Sequence, residues 1–126
     1  MYRKILVASD GSKTAHKAVD RAAEVAQATG ASVTVLTVGP KEKAQAAAKA
    51  EAERIQARTG GAITVEVKVD QGDPSHVIVQ EAESGGYDLL VVGNKGMTGA
   101  SRFLGTSVPN KVSHHANCAL LIVRTT

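Results

Sequence analysis

Short apolar runs alternate with longer segments of helical character along this chain, and that alternation limits the folds it can form. The runs are rich in Val, Ile, Leu and Ala, which is typical of strands buried on both faces of a sheet. We predict such strands over residues 5–8, 33–38, 89–92 and Ala119–Val123. The segments between them predict helices over Lys13–Thr29, Lys41–Thr59, 73–84 and 108–115.

One further strand, over residues 63–69, differs because its apolar residues alternate with polar ones. A period of two places one face of the strand in solvent, as at the edge of a sheet. Strands that are separated by helices form a parallel sheet with helices on both faces. We therefore predict a single α/β domain over residues 1–126, with a doubly wound, five-stranded parallel sheet.

The segment from Leu89 to Val108 indicates a binding site, because a buried strand there leads into a glycine-rich stretch. Glycine occupies positions 93, 96, 99 and 105, and Thr106 and Ser107 stand just before Pro109, a residue suited to the first turn of a helix. Glycine lets the backbone approach a ligand closely or adopt a positive φ. Free amides at a helix start attract anions. This pattern predicts a phosphate site of the kind that binds a nucleotide.

The position of that site predicts the order of the strands. In a doubly wound sheet, a ligand binds beyond the carboxyl ends of the strands, where the strand order reverses. Suitable loops follow the first strand, at residues 9–12, and the fourth strand, at 93–107. If both loops serve one site, the first and fourth strands are neighbours and the order is 3-2-1-4-5. The apolar strand Ala119–Val123 is then an edge that invites pairing, so we predict a homodimer through Ala119–Val123.

Composition excludes several other kinds of partner. The net charge is +3, and the aromatic residues are two tyrosines and one phenylalanine. Because no basic stripe alternates with stacking aromatic side chains, we expect no nucleic-acid partner. Cys118 is the single cysteine, which excludes an intramolecular disulfide and points to a reducing compartment. The first apolar run is too short for a secretion signal and no run spans a bilayer, so we expect a cytoplasmic protein without membrane partners.

Taken together, these motifs resemble the universal stress protein family, in the subgroup that binds ATP. The resemblance covers essentially the whole chain, including Ile-Leu-Val-Ala-Ser-Asp-Gly-Ser at 5–12, Asp-Leu-Leu-Val-Val-Gly at 88–93 and Ser-Val-Pro-Asn-Lys-Val at 107–112. The nucleotide pattern of this family is glycine, two residues, glycine, nine residues, then glycine followed by Ser or Thr. Gly93 and Gly96 match its first part.

The second part of the pattern differs in this sequence. Nine residues separate Gly96 from Thr106, which is followed by Ser107, whereas the nearby glycine is Gly105. Either Thr106 replaces the glycine and Ser107 keeps its place, or the loop is one residue tighter and Gly105 with Thr106 serves. A positive φ at Thr106 would be strained, because threonine carries a Cβ.

The resemblance implies a set of nucleotide-contacting residues: Ala8, Ser9, Asp10, Val38, Val92, Gly93, Gly96, Gly105, Thr106, Ser107 and Val108. It implies that Asp10 contacts the adenosine with Ala8 and Ser9 behind it, and that Val38 lies on the adenine. The glycine-rich segment would hold ribose and phosphates. A carboxylate repels phosphate, so Asp10 belongs at the base or sugar end on physical grounds too. The alternative role of Asp10, and of Ser12, is that of a helix N-cap.

The function that the resemblance implies is a regulatory stress-response protein with ATP as its ligand, with or without Mg²⁺. AMP or cyclic AMP is the alternative, because the second part of the pattern is altered and the connection at Gly39 and Pro40 leaves little chain to enclose a triphosphate. An enzyme would be limited to slow ATP hydrolysis or autophosphorylation, since the sequence has no Walker A motif and no evident nucleophile–base pair. A nucleotide-free dimeric scaffold is disfavoured by Gly93 and Gly96.

Overall fold

The structure is a computed structural model, and it describes residues 1–94 and 118–124. The predicted helix over 108–115 and the predicted site residues Gly96, Gly105, Thr106, Ser107 and Val108 lie outside the described residues. Within them, the elements are β1 (Lys4–Ala8), α1 (Lys13–Thr29), β2 (Ser32–Val38), α2 (Lys41–Thr59), β3 (Val65–Asp70), α3 (Pro74–Ser84), β4 (Leu89–Gly93) and β5 (Ala119–Val123). No helix in the described ranges combines the length and apolar character that crossing a bilayer requires.

All five strands run parallel in one sheet, and their order is β3-β2-β1-β4-β5, which confirms the prediction. β1 lies at the centre, where Val7 pairs with Val35 of β2 and with Val91 of β4. The carboxyl ends of these three strands therefore meet at one edge of the sheet. The strand order reverses at β1, because β2 and β3 lie on one side of it and β4 and β5 on the other.

Two apolar cores lie on opposite faces of the sheet. The first packs α1 and α2 against the face that carries Ile5 and Val7 of β1. The second packs α3 against the face that carries Leu6 and Ala8. All four of these residues are buried, so β1 needs apolar residues at consecutive positions. The continuous apolar run of the first strand thus has the burial that we predicted.

The helix ends follow the capping chemistry of the sequence. Ser12 is the N-cap of α1, because its hydroxyl accepts the amide hydrogen of Ala15 at 3.2 Å. Asp73 caps α3 by accepting a first-turn amide hydrogen at 3.0 Å, and Pro74 occupies the first turn. Gly30 ends α1 in the left-handed conformation, with φ of 75°. Of the two candidate caps before α1, Ser12 therefore fills that role.

α2 packs through a stripe of mostly small side chains. Its buried residues recur every three or four positions and share one face: Ala44, Ala48, Glu51, Ile55 and Thr59. Ile55 is the single large apolar residue of the stripe, which fits a helix formed by propensity more than by core packing. Glu51 stands out, because a carboxylate occupies a buried position of the helix.

β3 is an edge strand, as its alternating pattern predicted, but it is less buried than the pattern implied. It begins at Val65, and Val67 remains 47% exposed although it lies on the apolar face. A groove of about 670 Å³, lined on the helix side by long polar side chains of α2, lies beside the exposed valine. The groove is lined by Lys41, Gln45, Lys49, Val67, Val69, Asp70 and Gln71.

Candidate functional site

Three predicted site residues form one apolar patch where the central strands end. Ala8 and Val92 are buried in the core on the α3 face, and Val38 packs against that core while partly buried. We call Ala8, Val38 and Val92 the apolar patch. It lies at the carboxyl ends of β1, β2 and β4, where the strand order reverses and where doubly wound sheets bind their ligands.

The loop over residues 9–12, which we call the first loop, follows β1 directly and is tied down by hydrogen bonds. The Ser9 amide donates to the Leu36 carbonyl at 3.0 Å, which continues the pairing of β1 with β2. The Gly11 amide donates to the Ser9 hydroxyl at 3.1 Å, and the Ser12 amide donates to Asp10 Oδ1 at 2.9 Å. Much of the polar capacity of the loop is therefore used internally, so it presents a defined shape.

Asp10 carries the negative charge of the first loop. The Asp10 carboxylate accepts the Ser12 amide hydrogen. Its negative charge therefore lies just before the start of α1, at the kind of helix N-terminus that would otherwise attract a phosphate. That Asp10 faces the base or sugar end of a nucleotide stays a prediction. Carboxylate oxygens accept hydrogen bonds from ribose hydroxyls and from amino groups, and such charged hydrogen bonds are the stronger kind.

The Ser9 side chain points away from the apolar patch. Its hydroxyl is buried and donates to Glu51 Oε2 at 2.6 Å, on the face covered by α1 and α2. Gly11 shows how closely α2 approaches: a Cβ at Gly11 would lie 2.9 Å from Ala47 Cβ, and Gly11 has φ of 81°. The first loop is thus clamped between the sheet and α2.

Glu51 is a residue of this site that the sequence interpretation missed. It also approaches His16 on α1, with 2.8 Å between His16 Nδ1 and Glu51 Oε1, although the contact lacks the geometry of a hydrogen bond. A signal was present, because Glu51 falls three residues after Ala48 and four before Ile55, in the buried stripe of α2.

Ser9, Glu51 and His16 do not form a catalytic triad. In a triad the imidazole lies between hydroxyl and carboxylate, so that it can take the proton of the hydroxyl. Here the carboxylate lies between the other two groups, and Ser9 is only 1% exposed. The cluster therefore offers no accessible nucleophile, and its chemistry is that of a buried hydrogen-bonded support.

The end of β4 is close-packed. Gly93 is buried and pairs with Val123, and the Asn94 amide donates to the Val123 carbonyl at 3.0 Å. β4 therefore delivers the start of the glycine-rich segment to the edge where the apolar patch and the first loop lie. The roles predicted for Gly93 and for the glycine-rich residues outside the described ranges stay predictions, as does Mg²⁺.

Comparison with known proteins points to one family. The chain matches the model of the universal stress protein family over residues 1–124. It is 35% identical to universal stress protein Rv1636 of Mycobacterium tuberculosis, with 99% of this chain and 98% of that protein covered. It is 30% identical to universal stress protein YxiE of Bacillus subtilis, with 98% of this chain and 100% of that protein covered.

Solved structures show the same fold. A universal stress protein crystallised in complex with cyclic AMP has a TM-score of 0.80 and 35% identity, with 99% of this chain and 98% of that chain covered. Universal stress protein UspA from Lactobacillus plantarum has a TM-score of 0.76 and 27% identity, with 98% of each chain covered.

Proposed function

Because this chain belongs to the universal stress protein family, we propose that it binds an adenine nucleotide and acts as a regulatory protein of the stress response. The site is the edge of the sheet where β1, β2 and β4 end. The observation that carries this proposal is the meeting of the apolar patch with the Asp10 loop at the point where the strand order reverses.

The residues present suit the two chemically different ends of an adenosine. Val38, the partly buried member of the apolar patch, offers aliphatic surface for a flat base, and Ala8 and Val92 are buried behind it. Asp10 offers a carboxylate for the ribose hydroxyls or the amino group. Phosphate would then fall to the glycine-rich segment that begins at Gly93, through Gly96 and either Gly105 with Thr106 or Thr106 with Ser107 and Val108.

Within this class, we propose a nucleotide with a single phosphate, and cyclic AMP ahead of AMP. β2 ends at Val38 and α2 begins at Lys41, so Gly39 and Pro40 are the whole connection between them. This short connection provides no loop at the carboxyl end of β2 to enclose a triphosphate. The similar universal stress protein in complex with cyclic AMP supports the same choice. ATP, with or without Mg²⁺, is the competing ligand.

Calorimetric titration of the purified protein tests both the binding of an adenine nucleotide and the preference for cyclic AMP. Cyclic AMP, AMP and ATP are titrated in turn, and ATP is titrated with and without Mg²⁺, after mass spectrometry has shown whether nucleotide copurifies. We expect cyclic AMP to bind more tightly than ATP, and Mg²⁺ to change ATP binding little. Tightest binding of ATP with Mg²⁺ would reassign the ligand, and absence of binding by all three would overturn the proposal.

A further inference from the structure

Glu51 is a buried carboxylate that the proposed nucleotide contacts do not use. It is 1% exposed, and its neighbours in the buried stripe of α2 are Ala48 and Ile55. Removing a carboxylate from water is costly, and apolar residues at such positions are often neutral or stabilising by comparison. An apolar residue would also continue the stripe. The presence of a carboxylate at this buried position is explained by the group to which it is hydrogen-bonded.

What Glu51 holds is the first loop. Glu51 Oε2 accepts the Ser9 hydroxyl hydrogen at 2.6 Å, a distance typical of a charge-assisted bond. The Ser9 oxygen in turn accepts the Gly11 amide hydrogen at 3.1 Å. Ser9 and Gly11 are the two neighbours of Asp10 in the chain. Through one hydroxyl, Glu51 thus anchors the backbone on both sides of Asp10.

Other polar side chains of α1 and α2 approach Glu51 without replacing this bond. His16 Nδ1 lies 2.8 Å from Glu51 Oε1. The pKa of the Arg54 guanidinium is raised mainly by its hydrogen bond to Asp20, and the Glu51 charge raises it further. Arg54 itself forms a two-point ion pair with Asp20, and Arg58 lies 3.6 Å from the same carboxylate. Oε1 of Glu51 therefore faces His16 of α1, while Oε2 serves the loop.

We propose that Glu51 is a positioning residue for nucleotide binding: it fixes Ser9 and Gly11 so that Asp10 is held ready to meet the adenosine. This inference rests on the proposed function, because it assigns a purpose to the order of the loop. Glu51 contacts no ligand in this scheme. Its contribution is a loop that is ordered before the nucleotide arrives, which lowers the entropy lost on binding.

Three variants separate this role from simple stability. Glu51→Met keeps an unbranched side chain and removes the acceptor. Glu51→Gln keeps an oxygen for Ser9, and Glu53→Met is the matched control, since Glu53 is exposed on the same helix. We expect Glu51→Met to weaken binding of the nucleotide found by titration about tenfold, as loss of one charged hydrogen bond would. Glu51→Gln should stay within about threefold of the wild type, and Glu53→Met should bind like the wild type.

A double variant tests whether Glu51 acts through Ser9. If it does, adding Glu51→Met to Ser9→Ala weakens binding little further, because the two changes remove the same bond. Fully additive effects would overturn the inference. So would wild-type affinity in Glu51→Met, or an equal loss in Glu51→Gln and Glu51→Met.

Amide hydrogen exchange without nucleotide keeps the inference separate from the proposed function. In Glu51→Met we expect the Gly11 amide to exchange about tenfold faster, corresponding to one lost hydrogen bond. The amides of the buried face of α1 should keep their protection. Unchanged exchange at Gly11 would overturn the positioning role whether or not a nucleotide binds. A wild-type protein that binds no nucleotide would instead overturn the proposed function, and with it the purpose assigned to the ordered loop.

Discussion

Asp10 follows the central strand directly, and one of its oxygens already accepts the Ser12 amide hydrogen at 2.9 Å. Asp10→Asn keeps an oxygen for that amide and removes the charge. We expect nucleotide affinity to fall about tenfold, because a charged hydrogen bond to the adenosine becomes a neutral one. Calorimetry measures the change. Asp88→Asn is the matched control, because Asp88 accepts the Arg3 amide hydrogen at the amino ends of the strands, away from the proposed site. An equal loss of affinity in that variant would contradict the role of Asp10 as a nucleotide contact.

The ion pair of Asp20 with Arg54 makes the free energy of unfolding depend on pH. The hydrogen bonds of Asp20 with Arg54, at 2.7 and 2.9 Å, hold the pKa of the Asp20 carboxyl below its usual range. Because the folded pKa lies below the unfolded value of about 3.9, the pair stabilises the native state above that pH. This stabilisation disappears as the pH falls through the folded pKa.

Asp20→Asn should therefore lower the free energy of unfolding by roughly 1 kcal/mol at pH 7, since the pair is partly exposed. The difference from the wild type should shrink as the pH falls below the unfolded value of about 3.9 and through the lower folded pKa. Urea unfolding at several pH values measures both quantities. Glu24→Gln serves as the control, because the Glu24 side chain is 54% exposed and should matter little. A difference that persists unchanged in acid would contradict the role of this ion pair.

At the scale of elements, the contact between the first loop and α2 is tested by a pair of glycines. Gly11 and Gly30 have similar positive φ values, 81° and 75°, so an alanine is strained at either position. At Gly30 the new Cβ meets nothing within 4 Å, whereas at Gly11 it meets Ala47 Cβ at 2.9 Å. Gly30→Ala should cost about 1 kcal/mol, and Gly11→Ala about 1–3 kcal/mol more through overpacking. Equal losses in urea unfolding would show that α2 does not clamp the loop.

The elements themselves were largely predictable, because their ends depend on local chemistry. α1 and α2 have the predicted bounds, and Asp73 and Pro74 marked the start of α3 correctly. β3 was harder, since its period of two indicates an edge but not how far a neighbouring helix covers it. The burial of Glu51 was not predicted, because charge and propensity both suggested a solvated helix position.

At the scale of the whole molecule, the two edge strands of the sheet, β3 and β5, differ in sequence, but both expose an apolar side chain. Among the described strands β5 pairs with β4 alone, and Ile122 is 42% exposed. We propose that β5 pairs with β5 of a second copy, since an apolar edge strand favours such pairing. Ile122→Lys should then convert the dimer to a monomer in sedimentation equilibrium. Val67→Lys, at the exposed valine of the other edge, is the control; dissociation by that variant instead would place the interface at β3.

The strand order could be predicted from the sequence because β1 and β4 each lead into a loop with binding chemistry, and the predicted order 3-2-1-4-5 places these two strands side by side, as observed. The resemblance named Ala8, Val38 and Val92 as nucleotide contacts; the structure places the three together, and their role as contacts stays a prediction. The hydrogen bond from Ser9 to Glu51, which supports the first loop, could not be predicted, because the two residues lie 42 positions apart in the sequence. Such contacts depend on how α2 packs, which no local pattern encodes.

The central claim is that an adenine nucleotide binds where β1, β2 and β4 end, and NMR titration with cyclic AMP tests it most directly. Backbone amide shifts are followed in the ¹⁵N-labelled protein as the nucleotide is added. We predict saturable shifts concentrated at Ala8, Asp10, Val38 and Gly93. Shifts confined to the groove between α2 and β3, around Lys49 and Val67, or no shifts at millimolar nucleotide, would contradict the claim.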